Sequence, residues 1–312
     1  MARVRKITTD PSLMTWEQAL AGFLDYKTAQ GISAQTYEDY DKHARLFFKR
    51  FPNAWNTPDN LTEGLYAHLS EEVKPATFNN RLIYLRTFLN WCVEKGIITH
   101  NPIANMKKRK DEGRVVAVDE RILQKLLEMP DQSTFVGLRD YALILLTLDT
   151  GIRPKEALTL LPCDFNPASY EIYIPAKNAK TRISRTLPIS DITLKTLKRL
   201  LAARPAEWGE EAPIFCTYEG RSLNRHTWGD RLEKYTRELG VHIRPYDLRH
   251  AFSLEYIRNG ANSFALQKTL GHTSMEMTKR YVALVTDDLK AEHAKASPLN
   301  KLMKNTKRTT KI

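Results

Sequence analysis

Between residues 105 and 118 the chain stops reading as amphipathic helix and becomes NMKKRKDEGRVVAV, and this break limits the available folds more than any other feature. Five cations lie between Lys107 and Arg114, Gly113 falls among them and Pro102 precedes them. That composition suits a solvated connection between domains better than a core element. At 312 residues the chain has about twice a typical domain length, so the break is read as a domain boundary. The expected organisation is a basic leader (1–13), a helical domain (14–104), a basic linker (105–118), a second domain (119–302) and a basic tail (303–312).

The first domain reads as four helices. Thr15 caps the first, TWEQALAGFLDYKTAQ, with Glu17 in its first turn and Leu20, Phe23, Leu24 and Tyr26 on one face. A second runs from about Ser33 and a third over about 62–70. The fourth enters at Pro75 and stops at Gly96. Phe78, Leu82, Leu85, Leu89 and Val93 form its core stripe, which leaves Arg81 and Arg86 elsewhere on the helix as solvated charge or as contacts to a binding partner.

Beyond the linker the period changes. Helices are expected near 119–129 and 134–149, then two β-rich pieces, YEIYIPA and RISRTLPIS, joined by the polar turn KNAKT. Further helices are expected near 191–203, 224–238, 246–259, 262–270 and 274–284. The fold class is mainly α with a small antiparallel sheet, a hairpin or three strands, inside a mixed α+β second domain. The apolar run from Tyr141 to Leu148 is well short of the ~20 residues that span a bilayer and reads as a buried core helix.

Charge narrows the partners. The 48 Lys and Arg against 36 acids give a net charge of +12, which points to polyphosphate before an anionic membrane. The leader MARVRKITTDPS has no following hydrophobic segment, so no secretory signal is read and a cytoplasmic location is expected. Cys92, Cys163 and Cys216 are odd in number, far apart and without a C-x-x-C pair, and read as three buried thiols.

Four blocks of the second half carry chemistry: TGIRPKEALTL around Arg153, AKTRISRTLPIS around Lys180, RPYDLRHAFS around Arg249 and LGHTSMEMTKRY ending at Tyr281. In order and spacing they resemble the catalytic domain of the tyrosine recombinases, the family of phage integrases and Xer-type enzymes. Arg249 precedes His272 by 23 residues, and His272 precedes Tyr281 by 9. The helical first domain resembles the family's SAM-like core-binding domain, and the likeness covers about residues 14–302.

The chemistry can also be argued from residue types. Phosphodiester exchange needs an in-line nucleophile, charge stabilisation on the phosphoryl oxygens and a proton for the leaving oxygen. Arg153 and Arg249 suit the second task, because a guanidinium is a rigid fork of donors that stays charged. Lys180, in the hairpin turn, is the expected general acid; Lys177 is the alternative, and it and Arg182 are expected to touch DNA. His272 is expected to donate a hydrogen bond to the phosphate. Tyr281 is the expected nucleophile, a poor one unless nearby cations and a proton acceptor help it. Glu156, three residues after Arg153, and His250, next to Arg249, are expected to brace the site. One position departs from the family: where many members carry histidine three residues before the second arginine, this chain has Tyr246, which leaves any general-base role there in doubt.

The resemblance implies a site-specific DNA recombinase acting through a 3′-phosphotyrosine without metal, ATP or other cofactor, in integration, excision or resolution. Its partner is double-stranded DNA with paired half-sites, bound by a tetramer assembled through the C-terminal tail. A type IB topoisomerase, which relaxes supercoils without a specific site, and an architectural DNA-binding protein reduced in catalysis are the alternatives.

Overall fold

The computed structural model describes residues 14–111, 116–179, 181–285, 293–294 and 296–302. The chain divides into two compact units, Met1–Gly113 and Arg114–Ile312.

The first unit contains α1 (Trp16–Ala29), α2 (Ala34–Arg50), α3 (Pro58–Ser70) and α4 (Pro75–Glu94). Thr15 starts α1 through a capping box: its hydroxyl accepts from the Gln18 N–H at 3.3 Å, and Gln18 Oε1 accepts from the Thr15 N–H at 3.0 Å. Thr57 caps α3 with Pro58 in the first turn, so this helix begins before the expected start near 62; the turn-like T-P-D sequence is its entry. Helices α1, α2 and α3 all pack on α4. Its Phe78, Leu82, Leu85, Phe88 and Leu89 are buried with Phe23, Phe47 and Leu65. Each such side chain contributes about 1.5–3 kcal/mol over its exposed state. Val93 is only half-buried and Tyr26 is exposed, both at the margin of this core.

Part of the run expected as linker is tied to the first unit. Met106 packs against the first unit's core, Asn79 exchanges two 2.9 Å hydrogen bonds with the Arg109 main chain, and the Arg109 guanidinium lies 3.9 Å from the Phe78 ring centre. A cation–π contact and backbone pairing therefore fix part of a basic run that reads as solvated in sequence. Residues 112–115, the leader 1–13 and the tail 303–312 lie outside the described residues.

The second unit runs α5 (Glu120–Glu128), α6 (Phe135–Thr150), α7 (Pro154–Ala157), β1 (Phe165–Asn166), β2 (Glu171–Ile174), β3 (Arg185–Pro188), α8 (Asp191–Ala202), α9 (Arg225–Glu238), α10 (Pro245–Arg258), α11 (Ser263–Leu270), α12 (Met275–Val285) and a short α13 (Leu299–Leu302). The fold is mainly helical with one antiparallel sheet ordered β1-β2-β3. Phe165, Ile172 and Leu187 align across it and are buried, whereas Tyr173 points outward as strand alternation requires. Helix α6 holds the long apolar run, packs on α8 and α10, and buries Leu143, Ile144 and Leu146 completely. Among the described residues no helix is long and apolar enough to cross a membrane. Cys92 and Cys216 are buried, but Cys163 is exposed, contrary to expectation. In its short 3-10 turn the inward residue is Asp164, which accepts the Leu161 N–H at 2.9 Å.

Candidate active site

Helices α6 and α11 both stop on a glycine in the left-handed region, Gly151 and Gly271, each with φ 62°. A Cβ on Gly151 would collide with Phe252 and Leu270, so that position needs glycine for its conformation and for the close approach of α10 and α11. The two helix ends meet at Arg249 of α10. Its Nη1 donates to the Gly151 carbonyl at 2.6 Å and its Nη2 to the Leu270 carbonyl at 2.9 Å. These carbonyls carry the partial negative charge of a helix C-terminus, so Arg249 is held by dipoles, and among the described residues no carboxylate is hydrogen-bonded to it. Its Nε is buried without a partner among the described residues. Burial and the neighbouring Arg153 push the Arg249 pKa down to about 10, still above neutrality, so the group remains a cation.

Arg153 precedes α7 and donates to Glu156 Oε1 at 3.1 Å and to the Gly271 carbonyl at 3.0 Å. A third guanidinium shares that carboxylate: Arg185, at the start of β3, donates to Glu156 Oε2 at 2.6 Å and, through Nε, to the Thr269 carbonyl at 3.1 Å. Burial alone would raise the Glu156 pKa, but Arg185, Arg153 and Arg249 outweigh it and hold the carboxyl below its ordinary value. Three buried or part-buried guanidiniums therefore stand against one carboxylate, a local excess of two positive charges. Such an excess in a low-dielectric setting is a place for an anion.

His272 follows the Gly271 stop. Its Nε2 lies 3.1 Å from Arg249 Nη2 and its Nδ1 2.9 Å from Thr278 Oγ1. A guanidinium can only donate, so Nε2 is the acceptor and the imidazole proton lies on Nδ1, toward Thr278. Burial, then Arg249, Arg153 and Arg185, push the His272 pKa down to about 4, so the ring is neutral at ordinary pH.

Tyr281 lies on α12, which packs on both α10 and α11, and its side chain is 4% exposed. Its hydroxyl is 2.8 Å from His250 Nδ1, and its ring stacks at 10° to that of His272 with centroids 6.4 Å apart. Burial raises the phenol above its ordinary pKa, while Ser253 and Arg249 pull the other way. Tyr246 is 41% exposed, edge-on to His250 at 5.2 Å.

Arg153, Glu156, Arg249, His250, His272 and Tyr281, singled out in sequence, are thus brought into one cluster. Tyr246 stands beside it. Lys180 lies outside the described residues; Lys177 is exposed in the turn after β2, and Arg182 is exposed with a left-handed φ of 55°. Arg81 and Arg86, expected as solvated charge or DNA contacts, are half-buried and make hydrogen bonds within the first unit: Arg81 donates to Glu71 at 2.7 Å and to the His68 carbonyl at 2.9 Å, and Arg86 to the Met106 carbonyl at 3.0 Å. Both are occupied inside the first unit. Sequence reasoning missed Arg185, although a charged residue opening a strand that otherwise alternates into the core was a signal. It also missed Thr278, six residues after His272.

Residues 117–287 match the phage integrase family. The chain is 26% identical over 292 residues to tyrosine recombinase XerC of Pelobacter propionicus, covering 90% of this chain and 95% of that one. In three dimensions it is similar to the Tn1549 transposon integrase in complex with transposon right-end DNA, with TM-score 0.69 and 16% identity over 86% of this chain and 94% of that one. It is also similar to lambda integrase, seen as a tetramer bound to a Holliday junction, with TM-score 0.66 and 18% identity over 87% and 81% of the two chains. The match extends over more than half of the sequence and takes in the whole cluster from Arg153 to Tyr281: the chain belongs to the phage integrase family and is a tyrosine site-specific recombinase.

Proposed function

We propose that Tyr281 attacks a DNA phosphodiester and forms a 3′-phosphotyrosine, with Arg153 and Arg249 stabilising the charge that develops on the phosphoryl oxygens. The observation that carries this reading is the surplus cation: three guanidiniums stand beside a buried tyrosine hydroxyl, and one carboxylate, Glu156, pairs with two of them, Arg153 and Arg185. A phosphate supplies the missing negative charge. An arriving phosphate also favours a proton on His272, converting its Nε2 from acceptor to donor.

Lys180, or Lys177 in its place, protonates the leaving 5′ oxygen from the β2–β3 turn. Glu156 and Arg185 position Arg153. The phosphotyrosine retains the energy of the broken ester, so the free 5′ hydroxyl of another strand can attack it and reseal the backbone. The partner is double-stranded DNA, consistent with the net charge of +12 and with the DNA in the similar integrase structures. Paired half-sites and a tetramer joined through the tail after Tyr281 complete the reading; residues 286–292 of that tail lie outside the described residues. The first unit adds DNA contacts, with Arg81 and Arg86, anchored by Glu71 and the Met106 carbonyl, among the cations that make them.

The test uses a nicked duplex carrying the sequence that the protein selects from a random DNA pool. Tyr281→Phe should bind this DNA as the parent does and form no covalent protein–DNA complex. Covalent trapping by the variant at the parental rate would move the nucleophile elsewhere.

A further inference from the structure

A buried phenol whose proton is held more tightly than usual does not attack phosphorus until something takes that proton, and few groups around Tyr281 among the described residues are able to. The arginines are already protonated and only donate. His272 is occupied on both nitrogens, Nε2 by Arg249 and Nδ1 by Thr278, and the same arginines that bind phosphate suppress its affinity for a proton. Tyr246 is itself a phenol. Ser253 donates its hydroxyl to the Arg249 carbonyl at 2.7 Å and has no basicity near neutrality. His250 is different: its Nδ1 sits 2.8 Å from the Tyr281 hydroxyl, within the reach required of a general base, on the helix that also carries Arg249.

We infer that His250 is a catalytic residue that removes the phenolic proton of Tyr281 during strand cleavage and returns it during resealing. In cleavage the Oη–H bond breaks with its proton passing to Nδ1, the Oη–P bond forms, and the P–O5′ bond breaks with O5′ taking a proton from the lysine general acid. In resealing the O5′ proton returns to the lysine, O5′ attacks phosphorus, and the imidazolium of His250 protonates the departing Tyr281 oxygen. The inference rests on Tyr281 being the nucleophile. It also assigns more to His250 than the bracing role its place in the sequence suggests. One helix then carries, on adjacent residues, both the cation for the phosphate and the base for the nucleophile.

The full-length protein is used on the nicked duplex described above, in single-turnover reactions that measure formation of the covalent complex. His250→Ala and His250→Gln should slow it by on the order of 10²- to 10⁴-fold with DNA binding unchanged. Replacing Tyr281 by a ring-fluorinated tyrosine, whose phenol ionises at lower pH, should recover at least about tenfold of the loss in His250→Ala while changing the parent little. A packing defect would not respond to phenol acidity, so a slowed His250→Ala without recovery overturns the inference, as does a parental rate in either variant. If the alanine variant fails to bind DNA, the glutamine variant, whose amide still hydrogen-bonds the phenol without taking its proton, is read by the same two criteria. Failure of the nucleophile assignment itself is distinguishable, because Tyr281→Phe would then still form the covalent complex.

Discussion

Both units bury a histidine beside arginines and a glutamate, and the two clusters end in different places. In the first unit Arg50 and Arg81 both bind Glu71, and His68 lies between them with its Nε2 buried and unpartnered among the described residues. In the second, Arg153 and Arg185 both bind Glu156, and Arg249 lies against His272 beside them. The residue types match and the His68 and His272 pKa values fall alike, to about 4, from burial and adjacent guanidiniums. The difference is charge left over and where it sits. Two arginines against one acid leave a single excess cation at the first cluster, where the side chains of Arg50 and Glu71 remain 37% and 31% exposed and water screens the pair. Three against one leave two at the second, almost wholly out of water. The first arrangement clamps α2, α3 and α4; the second carries a positive excess that the described residues do not balance.

The comparison breaks most readily at the two glutamates. Glu156→Gln should cost about 3–5 kcal/mol of stability, because it strands buried guanidiniums without their carboxylate. Glu71→Gln should cost no more than about 1 kcal/mol. Urea unfolding of both variants measures the contrast, and equal losses would mean that burial does not separate the clusters. The arginines come next. Arg249→Lys should slow covalent-complex formation by on the order of 10²- to 10³-fold, since an ammonium cannot span two helix ends and still face phosphate. Arg81→Lys should leave that rate within about threefold. Parental cleavage by Arg249→Lys would remove Arg249 from phosphate recognition.

The smallest effect is shared. A histidine held neutral in the folded state contributes stability that is whole above its unfolded pKa near ~6.5 and is lost as pH falls toward the folded value. Each of His68 and His272, with folded values of about 4, should therefore remove roughly 1 kcal/mol between pH 6 and pH 5. Glutamine at either position should flatten the pH dependence of the urea midpoint by that amount. An unchanged slope would show that the histidine in question titrates normally.

The helices were legible because caps and apolar stripes act locally: Pro75 and Gly96 bracket α4, and residues near 262–270 gave α11 within a residue. Strand β1 is only two residues long and exists through pairing with β2, so no local pattern announces it. Arg109 reads as linker charge until the Phe78 ring is beneath it. In the site, spacing and resemblance pointed to Arg153, Arg249, His272 and Tyr281, because a motif preserves order along the chain. What spacing does not convey is who holds whom. Arg185 reaches Glu156 across 29 residues, and His250 reaches Tyr281 across 31. Those contacts depend on how β3 and α12 pack, which is a tertiary property.

Much of what holds the guanidiniums is main chain: the carbonyls of Gly151, Thr269, Leu270 and Gly271. Every amino acid brings a carbonyl, so apart from glycine where a helix must stop, the identities of the residues that cradle these cations can change without releasing them. A site fastened in this way depends on where two helices end more than on the side chains along them. Its surroundings are free to drift, and the same fold appears in a DNA-bound integrase at 16% identity. A cradle built from backbone tolerates such change better than one built from side chains would.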